Sequence, residues 1–145
     1  MSIQLSKREQ SFMQKVIDSA INAKDFQFKV AAAVIYKNKI ISLQSNENKS
    51  HTFQKRFSND DKKIYFHAET SAIHSALKII GKEKMKKAKL FIARVTPIKI
   101  RRDKVMGHAL AAGKPCSGCS ECIAHFGIKE VIHTINGEFS SFAVH

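Results

Sequence analysis

Apolar residues recur along the chain with two different periods, and the switches between them mark out its elements. Phe12, Val16, Ile17, Ala20 and Ile21 fall at helical spacing and predict an amphipathic helix from about Lys7 to Ala23. Ser6 and Glu9 stand at its start with the spacing of a capping box. Phe28 to Tyr36 is a β-rich run whose three successive alanines predict burial on both faces. Lys37-Asn38 reads as a tight turn, and Lys39 to Leu43 as the returning strand. Gln44 to Ile64 is long, polar and basic, the composition of a functional loop. A second helix is predicted from about His67 to Ile80, with Ala72, Ile73, Ala76, Leu77 and Ile80 as its buried stripe and Gly81 as its stop. Leu90 to Val95 reads as a strand, Thr96 to Lys114 as a basic loop, and Cys116 to about Phe126 as a third helix ended by Gly127. Val131 to Ile135 and Glu138 to Val144 flank Asn136-Gly137, the preferred pair for a type I′ hairpin turn, where both central residues need positive φ. The order α-β-β-α-β-α-β-β predicts the α/β class, a mixed sheet covered by helices.

Composition narrows this further. The chain has 145 residues, 43% hydrophobic and 26% charged. That supports a single domain over residues 1–145, since two separate cores would each be too small. The longest apolar run, Val30 to Tyr36, is far short of the roughly 20 residues needed to span a bilayer, so no membrane partner is expected. Met1 to Gln10 is polar and lacks the apolar core of a secretory leader. The three cysteines, Cys116, Cys119 and Cys122, crowd too tightly for a disulfide framework. Their spacing suits metal binding in a reducing cytoplasm, which is the compartment expected. The net charge of +13 favours anionic partners. Eleven Lys and Arg lie between Lys78 and Lys104, against Glu83 and Asp103 alone, so most of the excess sits in one stretch. It reads either as a solvated face or as a binding surface.

Two short motifs carry the candidate chemistry. His67-Ala68-Glu69 opens the second predicted helix, and Pro115-Cys116-Ser117-Gly118-Cys119 opens the third. Cys-x-x-Cys lets two thiolates reach one ion from a single helical turn, and a helix N-terminus stabilises the anionic sulfurs. A distant His as third ligand leaves the fourth tetrahedral position open, the pattern of a catalytic zinc and not of a closed structural one. Glu69, two residues from that His, is placed to move protons without binding the metal.

His-x-Glu followed by Pro-Cys-x-x-Cys is the zinc deaminase signature. On these motifs, and on the element order around them, most of the chain resembles the cytidine and deoxycytidylate deaminase superfamily. The resemblance implies a three-layer α/β/α fold with a mixed five-stranded sheet and a C-terminal β-hairpin. It implies one zinc per chain on His67, Cys116 and Cys119. It makes Glu69 the proton shuttle, and the backbone N–H of Ala68 the group that holds the base carbonyl. Asn46-Glu47-Asn48-Lys49-Ser50-His51 is similar to a segment of phage-borne deoxycytidylate-deaminase-like proteins, in which an Asn meets sugar and base. That likeness implies a substrate contact for Asn46, and for a phage-encoded chain a host cytoplasm. A register slip to Asn48, or an Asx turn at Asn46, are the alternatives.

The activity implied is hydrolytic deamination of cytosine in a free nucleotide or nucleoside, deoxycytidylate first, to the uracil product. The alternatives are a deaminase acting on cytosine or adenine in single-stranded DNA, RNA or tRNA, and a non-catalytic zinc module that binds nucleic acid. Glu69 speaks against the last, because a structural site needs no acid beside its ligand. A homo-oligomer is compatible with any of these. The chain departs from the common pattern where Thr96 to Lys114 separates the third strand from the Pro-Cys motif. Its C-terminal hairpin resembles free-nucleoside deaminases, whereas His67 as a ligand is commoner in the deoxycytidylate and tRNA branches. Cys122 reads as a small buried hydrophobe, because a helix would carry its sulfur away from the ion. His74 reads as a helix histidine outside the site, and His51 and His108 as loop residues bordering a pocket. Phe53, Phe57, Tyr65 and Phe66 interleave with Lys55, Arg56, Lys62 and Lys63, a pattern that stacks bases or tucks onto the core.

Overall fold

A computed structural model describes residues 5–23, 29–46, 67–101, 104–113, 115, 117–135 and 138–143. Of the predicted loop Gln44 to Ile64, Gln44 and Ser45 belong to a strand and residues 47–64, with Asn48 and His51, lie outside the described residues, as do Tyr65 and Phe66 of the aromatic–basic pattern, Cys116 and the Asn136-Gly137 pair. Among the described residues the elements follow in the order α1 (Lys7–Ile21), β1 (Lys29–Tyr36), β2 (Lys39–Ser45), α2 (Ala68–Met85), β3 (Lys89–Arg101), β4 (Lys104–Ala111), α3 (Ser117–His125), β5 (Glu130–Ile135) and β6 (Glu138–Ala143). Among the described residues no helix is long and apolar enough to cross a membrane.

The sheet follows the path β2-β1-β3-β5-β6, the five strands expected, with β4 added beside β3. Only the β3–β5 pairing is parallel, so the sheet is mixed. Ile135 pairs with Glu138, the register of a two-residue hairpin loop. Lys37 and Asn38 both have positive φ (50° and 62°), as a type I′ turn between β1 and β2 requires. One residue of β2, Ile41, is left without a partner by a register shift between Val34 and Ile35, a β-bulge.

Strand alternation sorts the core into two layers. Ala31, Ala33 and Ile35 of β1 join Phe91, Ala93 and Val95 of β3 beneath Met13, Val16 and Ala20 of α1. The intervening Ala32, Val34, Leu90 and Ile92 face Ala72, Ile73 and Ala76 of α2 and Cys122 and Ile123 of α3. The alanine run is thus buried on both faces, and its small side chains let helices approach the central strands from either side. Cys122 sits in this core as the small hydrophobe expected.

Caps and ties hold the helices in place. The Ser6 backbone N–H donates to Glu9 Oε1 at 3.2 Å and the Glu9 N–H to Ser6 Oγ at 3.2 Å, closing the capping box of α1. No basic residue stands in the last turn of α1. Lys29 fills that role from β1, its Nζ donating to the carbonyls of Ile21 and Ala23 at 3.1 and 2.9 Å. The buried Ser42 hydroxyl of β2 donates to the Ala72 carbonyl at 2.6 Å and pins α2 against the sheet.

Two elements differ from their sequence reading. Gly81 breaks the helix as expected, at φ 80° and ψ 172°, but the chain resumes helical turns to Met85. Such a backbone is open to glycine and strained for other residues. Thr96 to Lys114 is no simple loop: β3 continues to Arg101 and β4 returns beside it, from Arg101↔Lys104 to Arg94↔Ala111. β3–β5 pairing ends at Ile92↔His133, so β4 takes up the same edge of β3 just where β5 leaves it. The fork is stitched by one residue. The fully buried Thr134 donates its hydroxyl to the Ala111 carbonyl at 2.6 Å and accepts from the Arg94 N–H at 3.0 Å. The Thr134 carbonyl accepts from the Gly113 N–H at 2.7 Å. Gly113 fits closely here, since a Cβ would lie 3.2 Å from Thr134 Oγ1 and 3.4 Å from the Ile92 carbonyl and would press on both.

Candidate metal centre

α2 begins with six consecutive buried residues, Ala68 to Ile73. An amphipathic helix on a sheet buries one stripe. Burial all round over nearly two turns, with Glu69, Thr70 and Ser71 among the residues covered, marks a place where polar groups are enclosed for a purpose. His67 stands just before them as the N-cap, in extended conformation at φ −72° and ψ 156°. Its carbonyl accepts from the Ser71 N–H at 2.9 Å and the Thr70 hydroxyl at 3.1 Å, which fixes the backbone. Its ring does not cap the helix. It lies against α3 instead, with Nδ1 3.2 Å from the sulfur of Cys119.

The buried Glu69 carboxylate completes a cluster in which the ligand atoms of His67, Glu69 and Cys119 all lie within 4.8 Å of one another. Cys119 is fully buried one turn into α3. Tetrahedral zinc with typical bond lengths to nitrogen and sulfur separates its N and S donors by about 3.5 Å. The observed 3.2 Å is close to that. An imidazole and a thiol brought together at the starts of two helices, with little water around them, form a donor set that fits zinc. Cys116 lies outside the described residues, but the residues flanking it are placed: Pro115 and Gly118 are buried, and Pro115 follows directly on the β4 strand and the Gly113 contact.

The model of the cytidine and deoxycytidylate deaminase zinc-binding region matches the chain over residues 6–135. The chain belongs to that family. It is therefore a deaminase-family hydrolase with a zinc-binding region, and His67, Glu69 and Cys119 form its candidate zinc site. No curated protein matches its sequence. Among solved structures it is similar to dCMP deaminase from the cyanophage S-TIM5 in apo form, with a TM-score of 0.60 and 20% identity over 90% of this chain and 84% of that one. The same enzyme in complex with dCMP and dUMP gives 0.52 and 17%, over 90% and 83%. A structure from work on A-to-I editing by tRNA:A34 deaminases gives 0.56 and 19%, over 86% and 75%. At such identities the likeness shows a shared fold, the α/β deaminase architecture.

The other candidate residues fall as follows. Ala68 is the first residue of α2 and fully buried, so its N–H is one of the four that an α-helix leaves without an internal partner. Asn46 ends β2 with both backbone and side chain on β1: its N–H donates to the Val30 carbonyl, and its Oδ1 accepts from the Val30 N–H, each at 3.1 Å. It extends the β1–β2 ladder by one rung. His108 sits in β4 opposite Pro97, and His133 is buried with Nδ1 2.9 Å from the Thr134 carbonyl. Thr134 and Gly113, which hold the segment leading to the cysteines, were missed by sequence reasoning. A threonine in a strand is ordinary, and Gly113 lies inside the stretch read as a loop, where a glycine draws no attention.

Proposed function

We propose that this chain hydrolyses the exocyclic amino group of cytosine in a free deoxycytidine nucleotide, deoxycytidylate first, releasing ammonia and leaving uracil. The observation that carries the chemistry is the buried Glu69 carboxylate beside the His67 and Cys119 donors. Zinc held by His67, Cys119 and Cys116 would supply Lewis acidity that makes water nucleophilic at neutral pH. Glu69 takes a proton from the attacking water and gives it to the ring nitrogen next to the reacting carbon. It then takes the second proton of that water, now on the hydroxyl at the reacting carbon, and gives it to the amino group as the carbon–nitrogen bond breaks, so that ammonia leaves and the carbonyl of uracil forms. Its enclosure keeps bulk water from competing for those protons. The Ala68 N–H, at the positive end of α2, donates to the base carbonyl. Asn46, held at the end of β2 by the hydrogen bond that its Oδ1 accepts from the Val30 N–H, meets sugar or base.

A free nucleotide is favoured over a strand by where the charge falls. The unbroken part of α2, Ala68 to Ile80, is about 20 Å long, with His67 before its first residue and the lysines from Lys82 onward beyond the break at Gly81. The lysines from Lys82 to Lys89 therefore follow the far end of that helix, away from the candidate zinc site. The likeness to a phage dCMP deaminase supports the same reading. A strand or tRNA substrate draws on the β3–β4 hairpin, which carries Lys99, Arg101 and Lys104 and leads straight into the Pro-Cys motif. Ammonia release by purified protein, measured with dCMP, cytidine, a cytosine oligonucleotide and tRNA, decides between them. Turnover of dCMP at least as efficient as any other supports the proposal. Turnover confined to oligonucleotide or tRNA overturns it.

A further inference from the structure

At the end of the molecule away from the candidate zinc site, the α1 layer contains a cavity of about 500 Å³. Its walls come from the start of α1 (Ser6, Arg8, Glu9), the β1–β2 turn (Lys37, Asn38), the turn after α2 (Lys87) and the first residue of β3 (Lys89). Its floor is apolar. Ile35 and Phe91 are buried there, and Phe12 meets Phe91 edge-on, with ring centroids 6.4 Å apart and planes at 78°. Four cations line this space against one carboxylate, and that carboxylate is occupied. Glu9 accepts from the Ser6 N–H and pairs with Lys89 at 3.6 Å, and Lys89 also reaches Glu130 at 3.7 Å. Lys37 lies over the Tyr36 ring, its Nζ 5.5 Å from the centroid, and among the described residues it is paired with no carboxylate. Among the described residues neither Arg8 nor Lys87 is paired with a carboxylate. The N-terminus of the 15-residue α1 adds the positive end of its dipole.

We infer that this cavity is a second ligand site, for a small molecule that carries a phosphate on an aromatic or apolar body. The cations at the rim would take the phosphate, with Arg8 offering a planar fork of donors. The half-buried Phe12 would take the body, with Ile35 and the fully buried Phe91 packed behind it. The volume falls in the roughly 300–1,000 Å³ range of small-molecule pockets, which favours a compact ligand over a polymer. The inference does not depend on the deaminase reaction, since the cavity lies on the α1 face of the sheet and the candidate zinc site on the α2 face.

Titration of the zinc-loaded protein with phenyl phosphate, inorganic phosphate and phenol, followed residue by residue through backbone amide NMR, tests it. Phenyl phosphate is expected to bind saturably, more tightly than either fragment, and to move the amides of Asn38, Lys87 and Phe91 while leaving those of His67 to Ser71 in place. The double variant Arg8→Ala, Lys87→Ala should weaken it by about tenfold or more, as loss of charge-assisted hydrogen bonds does. The charge-matched control Lys15→Ala, Lys78→Ala should leave it unchanged. Equal weakening in both variants, absence of saturation, or shifts confined to His67 to Ser71 would overturn the site. So would displacement of phenyl phosphate by a short oligonucleotide at equal phosphate concentration, which would make this pole a strand surface.

Discussion

At its N-terminal end α2 buries Ala68 to Ile73 without a break and brings a histidine, a carboxylate and a cysteine within 4.8 Å of one another. At its C-terminal end the same helix exposes Lys82, Glu83 and Lys84, and the chain goes on through exposed Lys86 and Lys87 to the basic cavity. Charge in the sequence is concentrated at the second end; chemistry is concentrated at the first. A run of like charges locates a surface that attracts anions at long range. A reaction centre is instead located by polar groups that remain buried at a cost of several kcal/mol each unless something compensates them. The contrast explains why the dense stretch from Lys78 to Lys104 is a poor guide to the substrate. The fold divides it between the far pole and the β3–β4 hairpin, and the candidate zinc site touches neither the lysines of Lys82 to Lys89 nor their cavity.

Substitutions should separate the two ends by size of effect. The largest belongs to Cys119→Ala or His67→Ala. Either should reduce zinc from one per chain to traces, abolish turnover and lower the melting temperature, because the ion ties two helix starts together. Full zinc content by elemental analysis in both variants would break the comparison at its strong end. Glu69→Gln comes next. It should retain zinc and fold yet lose about 10²–10⁴ in turnover, toward the upper end because one group handles several proton transfers. Near-normal activity would move the proton shuttle elsewhere.

Thr134→Val should be intermediate. Removing a buried hydroxyl that joins β3 and β4 should cost about 1–3 kcal/mol in denaturant unfolding, and Thr134→Ser should restore most of it. An unchanged midpoint would show that the fork in the sheet is held by backbone pairing alone. The smallest effect belongs to the exposed pole. Arg8→Ala with Lys87→Ala should change stability by no more than about 0.5 kcal/mol and leave dCMP turnover at the parent rate. A large fall in turnover would mean that the two ends act together.

How much of this could be read beforehand depended on how local the signal was. The Ser6–Glu9 capping box, the Lys37-Asn38 turn and the Gly127 stop are short-range devices, and all three stand as expected, Gly127 at φ 75°. The alanines of β1 announced burial on both faces because nothing larger would fit between two layers. His67-Ala68-Glu69 and the Pro-Cys motif were readable because each needs only one helix start. The β3–β4 hairpin was not, because Pro97, Gly107 and the interspersed cations blur a two-residue period. Its evidence lies in pairing between residues such as Arg94 and Ala111. Thr134 was hidden for the same reason: its role is set by two strands distant from it in sequence.

The fork at Thr134 also makes the architecture modular. β4 occupies ladder positions on β3 that begin only at Arg94, beyond the last rung shared with β5 at Ile92. Lengthening or trimming the hairpin in steps of two residues about its tip, between Ile98 and Gly107, preserves strand alternation and leaves every rung of the five-strand path intact. Its root would still deliver the chain to Pro115 at the same point. The hairpin is thus an adjustable arm on a fixed frame, and a place to graft new sequence beside the zinc site at little risk to the core.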